Sequence, residues 1–139
     1  MAGTVEEIMT RQPRSVEMGD SLVDAAREMF AGDIGNVVVT DGGRVVGIVT
    51  DRDIVVRAIA EGRDPQSTTA GDVCSPDPRT VEAGASLQAA TQAMSENSIR
   101  RLPVVSNGQL VGIVSLGDLA MDRDAGQPLA DISAASPNH

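Results

Sequence analysis

An α+β fold of two β-α-β-β-α repeats is predicted by three features of the sequence. A shift of 65 positions aligns residues 14–54 with residues 79–119 without a gap, and 16 of the 41 pairs are identical. Within each copy, apolar residues at helical spacing alternate with short apolar runs typical of strands. Glycine-containing turns separate two of those runs, as in a β-hairpin.

The first strand and the first helix follow one pattern in both copies. A short strand is predicted at Ser15-Val16 and again at Thr80-Val81. A helix then begins at Ser21, because apolar residues recur at helical spacing. In the first copy these residues are Leu22, Ala25, Ala26, Met29 and Phe30, and in the second they are Leu87, Ala90 and Met94.

A hairpin and a second helix complete each copy. In the first copy, strands are predicted at 37–40 and 45–50, with Asp41-Gly42-Gly43 as the turn, and Asn107-Gly108 is the equivalent turn in the second. Gly and Asn suit such turns because they tolerate positive φ. A second helix begins at Asp51 and ends before Gly62. Its apolar side consists of Ile54, Val55, Ala58 and Ile59.

The repeats set the expected domain organisation. The first repeat covers 1–62, a polar linker covers 63–69, the second repeat covers 70–124, and a loose tail covers 125–139. We expect Leu129 and Ile132 to be the points at which the tail docks. A repeat of this length is short for an independent domain, so each should need the other to cover its apolar face. Together they would form one module.

Composition argues against several functions. The formal net charge is −9, no run is rich in Lys or Arg, and Trp and Tyr are absent. Nucleic-acid binding needs basic residues for the phosphates and gains from aromatic stacking, so it is not expected. Cys74 and His139 are the single cysteine and histidine. An intrachain disulfide is therefore impossible, and a Cys/His zinc site lacks ligands.

The sequence also indicates a compartment. No stretch approaches the roughly 20 apolar residues of a membrane span. The N-terminus, MAGTVEEIM, lacks the basic and apolar regions of a signal peptide. One cysteine suits a reducing environment. We therefore expect a cytoplasmic protein.

A hydroxyl and an acid recur where a strand meets a helix, as Thr50-x-x-Asp53 and Ser115-x-x-Asp118. The first interpretation is structural. Ser or Thr at the helix start, with an acidic residue three positions on, resembles a capping box and suits the helix dipole. Ser21-x-x-Asp24 has the same spacing without any other feature of a site.

The second interpretation of the motif is ligand binding. Gly47 and Gly112 precede the two hydroxyl residues by three positions, and glycine there lets a ligand or another backbone approach closely. Free N–H groups at a helix start suit a phosphate. The carboxylate suits the vicinal hydroxyls of a ribose. Both interpretations remain open from the sequence.

Two β-α-β-β-α repeats that each close with G-[IV]-V-[TS]-x-x-D resemble a tandem pair of cystathionine-β-synthase (CBS) domains, or Bateman module. The resemblance covers about residues 5–122, and the run DRDIVVRAIAEGRDP is similar to stand-alone bacterial proteins of this type. It implies that the repeats pack face to face about a pseudo-two-fold axis. It also implies two clefts that bind adenine nucleotides or related adenosyl ligands, among them AMP, ADP, ATP, NAD and S-adenosylmethionine.

The resemblance also implies roles for individual residues. Asp53 and Asp118 would take the ribose hydroxyls, and Thr50 and Ser115 would contact phosphate. The residues implied beside the base or lining a cleft are Ser15, Val16, Thr80, Val81, Pro103 and Val104.

The two copies differ around this motif. The first has Val38 where the second has Pro103. Arg52, next but one to Thr50, can add charge-assisted bonds to a phosphate, so we expect the first motif to be the better nucleotide site. Arg101 has two interpretations: a phosphate contact from across the interface, or a solvated charge.

These observations favour a non-catalytic regulatory module with an adenine nucleotide as regulatory ligand and no required cofactor. We expect a homodimer through apolar helix faces near 54–59 and 119–121, and an effector protein as a possible further partner. The alternative is a ligand-free interaction protein that acts through dimerisation. No nucleophile–base pair, metal cluster or lysine supports an enzyme, and Cys74 aligns with Met9 in an apolar position.

Overall fold

The computed structural model describes residues 3–121, within which the two repeats fold alike. In chain order the elements are α1 (Val5–Ile8), β1 (Thr10–Arg11), β2 (Ser15–Glu17), α2 (Leu22–Gly32), β3 (Asn36–Asp41), β4 (Arg44–Thr50), α3 (Asp51–Asp53), α4 (Ala70–Val73), β5 (Ser75–Pro76), β6 (Val81–Glu82), α5 (Leu87–Asn97), β7 (Arg101–Ser106), β8 (Gln109–Ser115) and α6 (Leu116–Ala120). The helix that begins as α3 continues as a π-helix over Ile54–Ile59.

The elements form two compact units. One contains residues 14–78, and the other contains residues 3–13 together with the described residues from 79 onward. Residues 3–13, which the sequence places in the first repeat, therefore belong with the second. The predicted linker 63–69 and residues 70–78 belong with the first. The tail predicted at 125–139, with Leu129 and Ile132, lies outside the described residues.

The strand ladder is the same in both units. In the unit of residues 14–78, β2 runs parallel to β3, and β4 pairs antiparallel with both β3 and β5. In the other unit, β6, β7, β8 and β1 take the corresponding places. The register shifts at the same repeat position, between Val39 and Thr40 and between Val104 and Val105. The predicted β-α-β-β-α repeat is confirmed, and each unit gains a strand that the sequence did not reveal.

The long helices begin and end at polar residues. Ser21 precedes α2, and its Oγ accepts a hydrogen bond from the backbone N–H of Asp24 at 3.1 Å. Ser86 does the same for α5. The residues that follow the two helices, Asp33 and Ser98, both adopt the left-handed conformation at φ 52°. Each helix is therefore capped at its start and stopped by a change of backbone hand.

Each unit has its own apolar core beneath its sheet. The buried residues of the unit 14–78 are Val16, Leu22, Ala25, Met29, Val37, Val39, Val49, Ala58, Ala70 and Val73. Those of the other unit are Val5, Met9, Val81, Leu87, Ala90, Ala93, Met94, Leu102, Val104, Val114 and Leu119.

Phe30 lies in α2, as its helical spacing predicts, but it does not belong to the buried side of the helix. The core stripe of the helix runs through Leu22, Ala25 and Met29. The next position lies about 100° further round the helix, so Phe30 projects away from the core and is 90% exposed. Val55 and Ile59, predicted on the apolar side of the second helix, are also exposed.

Gly47 and Gly112 admit a neighbouring chain segment. A Cβ on Gly47 would lie 2.6 Å from Cys74 Sγ and 2.8 Å from the carbonyl oxygen of Ser75. A Cβ on Gly112 would meet the Met9 side chain and lie 2.9 Å from the carbonyl oxygen of Thr10. Of the two roles predicted for these glycines, approach of another backbone is therefore the one observed.

The Gly47→Ala variant should lose stability. Its new methyl group would clash with the Ser75 carbonyl, which β4–β5 pairing holds in place, so we expect a loss of about 1–3 kcal/mol in the free energy of unfolding. Urea unfolding measures it. Removing the thiol with Cys74→Ala should restore only part of the loss. Gly84→Ala, where nothing lies within 4 Å of the new Cβ, is the control. Equal stability of Gly47→Ala and wild type would contradict this packing.

Glu17, at the end of β2, forms hydrogen bonds to the β3–β4 hairpin of its repeat. Its carboxylate accepts a hydrogen bond from the hydroxyl of buried Thr40 and one from the backbone N–H of Gly42 at 2.8 Å. These two donors lower the pKa of Glu17, the Thr40 hydroxyl most strongly. The second repeat has Val105 at the position of Thr40, so this hydroxyl–carboxylate bond belongs to the first repeat alone.

The hydrogen bond between Thr40 and Glu17 should make the free energy of unfolding depend on pH. A carboxyl group whose pKa is lower in the folded state stabilises the fold above its unfolded pKa, and that stabilisation is lost as the pH falls through the folded pKa. We expect Thr40→Val to be less stable than wild type at pH 7, with a smaller difference at pH 3. Unfolding by urea across this range measures it. Glu82→Gln, at the equivalent glutamate facing Val105, is the control, and a pH-independent difference would contradict the assignment.

Candidate functional site

The first motif lies where β4 ends and the following helix begins. Thr50 Oγ1 accepts a hydrogen bond from the backbone N–H of Asp53, and Asp53 Oδ2 accepts one from the backbone N–H of Thr50, both at 3.0 Å. The capping interpretation is therefore confirmed for this motif. The pair leaves the second carboxylate oxygen, Oδ1, outside the capping box.

The second motif has the same geometry at the end of β8. Ser115 Oγ accepts a hydrogen bond from the backbone N–H of Asp118 at 3.1 Å, and Asp118 Oδ2 accepts one from the backbone N–H of Ser115 at 2.9 Å. Again one carboxylate oxygen is engaged by the cap. The two motifs are thus equivalent in backbone and in local hydrogen bonding.

Burial separates these motifs from other capping boxes of the chain. The box of Ser21 and Asp24 has the same bonds but is exposed. The boxes at Thr50 and Ser115 are partly buried, and the Asp53 side chain is only 15% exposed. A partly desolvated carboxylate forms stronger hydrogen bonds to a ligand than an exposed one does. Capping and ligand binding are therefore compatible at these two positions.

Arg57 forms an ion pair with Asp53 Oδ1, the carboxylate oxygen that the first capping box leaves free. Its Nε lies 3.8 Å from Asp53 Oδ1, one helical turn away, and its Nη1 donates a hydrogen bond to the carbonyl oxygen of Val73 at 3.1 Å. The sequence analysis missed this residue. The i, i+4 spacing of Asp53 and Arg57 was the available signal, since such pairs face each other on a helix.

Among the described residues, Arg101 is a positively charged side chain close to the second motif. It is the first residue of β7 and lies directly opposite Ser115 in the ladder, so the two side chains share a face of the sheet. Burial lowers the pKa of the Arg101 guanidinium, and the negative charge of Asp118 acts in the opposite direction. Arg101 is therefore a partly buried charge beside an acid, and its contact with a phosphate stays a prediction. The first repeat has Asn36 at the same position, opposite Thr50.

Arg52 is exposed on the first turn of the helix. Its backbone N–H donates to the Asp51 carboxylate at 2.8 Å. The position leaves the side chain in solvent beside Thr50.

The remaining predicted residues divide between the sheets and the cores. Ser15 lies opposite Val38 in the parallel pair of β2 and β3, while Thr80 precedes β6, and both are partly buried. Pro103 is buried in β7 opposite Ile113. The side chains of Val16, Val81 and Val104 belong to the apolar cores. Because these three valine side chains are buried in the cores, a ligand could contact only the backbone groups of these residues.

Cys74 carries no sign of a reactive thiol. It is partly buried, and its Sγ lies 3.7 Å from the carbonyl oxygen of Gly71. Burial raises the pKa of the thiol, and the negative charge of Asp53 raises it further. The thiol therefore stays protonated at neutral pH, unlike that of a nucleophilic cysteine.

Comparison with known proteins establishes the family. The CBS domain model matches the chain twice, over residues 5–59 and 70–122. The chain belongs to the CBS domain family. CBS-domain pair proteins are generally regulatory, non-catalytic modules.

Two relatives span nearly the same length as this CBS pair. The CBS domain-containing protein YhcV of Bacillus subtilis is 39% identical over 134 residues, which cover 94% of this chain and 95% of that protein. Hypoxic response protein 1 of Mycobacterium tuberculosis is 39% identical over 118 residues, which cover 84% of this chain and 82% of that protein.

Solved structures show the same fold. A crystal structure of Hypoxic Response Protein I with two coordinated zinc ions superposes with a TM-score of 0.77 and 38% identity, covering 86% of this chain and 98% of the other. CBSX2 in complex with AMP gives a TM-score of 0.73 and 27% identity, covering 86% and 95%. Within residues 3–121, no three His, Cys, Asp or Glu side chains are placed to hold a metal ion. No described helix is long and apolar enough to cross a membrane.

Proposed function

We propose that the protein is a regulatory sensor module that binds adenine nucleotides or related adenosyl ligands at its two repeats. The observation that carries this proposal is the pair of partly buried hydroxyl–acid motifs, Thr50/Asp53 and Ser115/Asp118. Each follows a strand of the CBS fold and has a carboxylate oxygen outside its cap. AMP bound to the related CBSX2 supports the class of ligand.

The motif chemistry fits a ribose. Asp53 and Asp118 each use Oδ2 for the cap, so Oδ1 can accept a hydrogen bond from a ribose hydroxyl. Hydrogen bonds to a charged, partly desolvated acceptor are among the stronger ones in proteins. Each hydroxyl residue lies at the start of the same helix, where a phosphate attached to that ribose can meet it.

Arg101 is proposed to bind the phosphate at the second repeat. It lies opposite Ser115 and close to Asp118, so one ligand can bridge sugar and phosphate contacts there. Arg52, exposed beside Thr50, can meet a phosphate at the first repeat. Ser15, Thr80 and Pro103, with the backbones of the core valines, are proposed to contact the base.

We also propose that the module is a cytoplasmic homodimer, with an effector protein as a possible further partner. Its single cysteine suits a reducing compartment. In the unit of residues 14–78, an open apolar groove of about 340 Å³ runs between α2 and the second helix. Its lining residues are Ala26, Met29, Phe30, Ile34, Asp51, Ile54 and Val55. Exposed apolar groups such as Phe30, Val55 and Ile59 favour a protein contact at this face.

A ligand-free interaction protein is the alternative function. The observation that favours it is that both motifs are already satisfied as capping boxes, while the apolar groove is open. This alternative predicts a normal dimer that binds no nucleotide.

Isothermal titration calorimetry with AMP, ADP, ATP, NAD and S-adenosylmethionine tests the sensor function. We expect at least one ligand to bind with a dissociation constant in the micromolar range, or about −8 kcal/mol. Asp53→Asn and Asp118→Asn each keep an oxygen for the cap but lose the charge, so each should weaken its own site about tenfold or more. Asp24→Asn, in the exposed capping box, is the control.

The absence of heat with all five ligands would contradict the sensor function and leave the interaction protein. A thermal-shift assay with each ligand checks that result independently, because a ligand that binds only the folded state raises the melting temperature.

Phe30→Ser should weaken the dimer. The change removes the exposed aromatic ring from the groove and installs the residue that the second repeat has at the same position, Ser95. Sedimentation velocity should show wild type at about twice the 14.4 kDa chain mass. The dissociation constant of the variant dimer should be about tenfold higher or more. Ala31→Ser, also exposed on α2, serves as the control. A wild-type protein that remains monomeric at high concentration would rule out this dimer.

A further inference from the structure

We propose that Arg57 is a built-in competitor for the free carboxylate oxygen of Asp53, so that an adenosyl ligand must displace this arginine to occupy the first motif. This inference rests on the proposed function. It assigns Arg57 as a residue that sets ligand affinity at the first repeat and that makes the two repeats unequal.

The contacts of Arg57 carry the inference. Asp53 Oδ2 is already used by the backbone N–H of Thr50 at 3.0 Å. The ribose hydroxyls therefore need Asp53 Oδ1, which is the oxygen that Arg57 Nε approaches at 3.8 Å. The Arg57 guanidinium forms an ion pair with this oxygen, and a ribose hydroxyl would donate a hydrogen bond to it. Because both approach the same oxygen, a contact of one weakens the contact of the other.

Arg57 is held in a position unsuited to phosphate recognition. Its Nη1 donates to the carbonyl oxygen of Val73, the last residue of α4, at 3.1 Å. It lies one turn beyond Asp53, away from Thr50 at the helix start. A phosphate that contacts the Thr50 hydroxyl is therefore at the opposite end of the motif from Arg57. Competition for Asp53 is the remaining role for this guanidinium.

The ion pair is weak enough to be displaced. The Arg57 side chain is 54% exposed, and i, i+4 pairs in solvent stabilise helices only slightly. A ligand can therefore replace it at small cost, and the effect on affinity should be a few-fold. Displacement would also release the bond to Val73, so that occupancy of Asp53 is linked to the end of α4.

The sequence of the second repeat has no arginine at the position of Arg57. The sequence position equivalent to Arg57 is Asp122, an acid. The cation close to Asp118 is instead Arg101, which lies across the ladder from Ser115, on the side where phosphate is proposed. A nucleoside without phosphate should therefore bind the second motif more tightly than the first.

Adenosine is the probe for this inference, because it carries the ribose without a phosphate. Titration calorimetry is done in the Asp118→Asn background, which leaves the first motif as the stronger site. There, Arg57→Met should bind adenosine about threefold more tightly, since it removes the competing donor but keeps the apolar stem. Arg27→Met, at an exposed arginine of α2, makes the same charge change elsewhere and should leave the affinity unaltered. Adding Asp53→Asn should abolish the gain from Arg57→Met.

Each outcome decides a different question. If Asp53→Asn weakens adenosine binding but Arg57→Met does not tighten it, the competitor role is overturned and the sensor function stands. If neither adenosine nor any of the five adenosyl ligands binds wild type or a variant, the sensor function falls and the competitor role with it. Thermal unfolding checks that Arg57→Met is folded, and Arg57→Leu, which also lacks a side-chain donor, provides a second variant with the same expected gain.

Discussion

The reciprocal hydrogen bonds between a hydroxyl and an acid, at the ends of β4 and β8, are the constraint on which both candidate sites depend. In each repeat the hydroxyl oxygen and one carboxylate oxygen satisfy backbone N–H groups that the helix itself leaves unpaired. The cap thereby fixes where the strand turns into a helix. It also orients the carboxylate, so that its second oxygen is held in place before any ligand arrives. The cap and the proposed ligand site therefore share the same side chains.

The glycines before these motifs show how the repeats are completed. Gly47 lies against Cys74 and Ser75, and Gly112 lies against Met9 and Thr10, so each repeat receives an edge strand from a short segment outside its β-α-β-β-α core. In the second repeat that segment comes from the N-terminal end of the described chain. Each structural unit therefore has different boundaries from the sequence repeat that forms most of it.

The two copies share their backbone structure but differ in several side chains. The ladder, its register shift and the caps are common to both units. The first repeat has Thr40, Phe30 and Arg57, where the second has Val105, Ser95 and Asp122. Of these, Thr40 and Phe30 give the first repeat a hydroxyl–carboxylate bond and an exposed apolar side chain, and Arg57 gives it an ion pair with Asp53. Two similar folds can therefore offer unequal chemistry.

The sequence by itself determined the repeats, the order of their main strands and helices, and the residue types at the motif. Apolar periodicity and turn residues are local signals, readable within a few positions of Ser21 or Gly108. Only the tertiary structure decided which segments supply β1 and β5, that Phe30 faces solvent, and that Arg57 approaches Asp53 Oδ1 while bonding to Val73. Strands of two residues carry no periodic pattern, and contacts between distant residues depend on how the elements pack. The orientation of one carboxylate oxygen is likewise set by its neighbours in space.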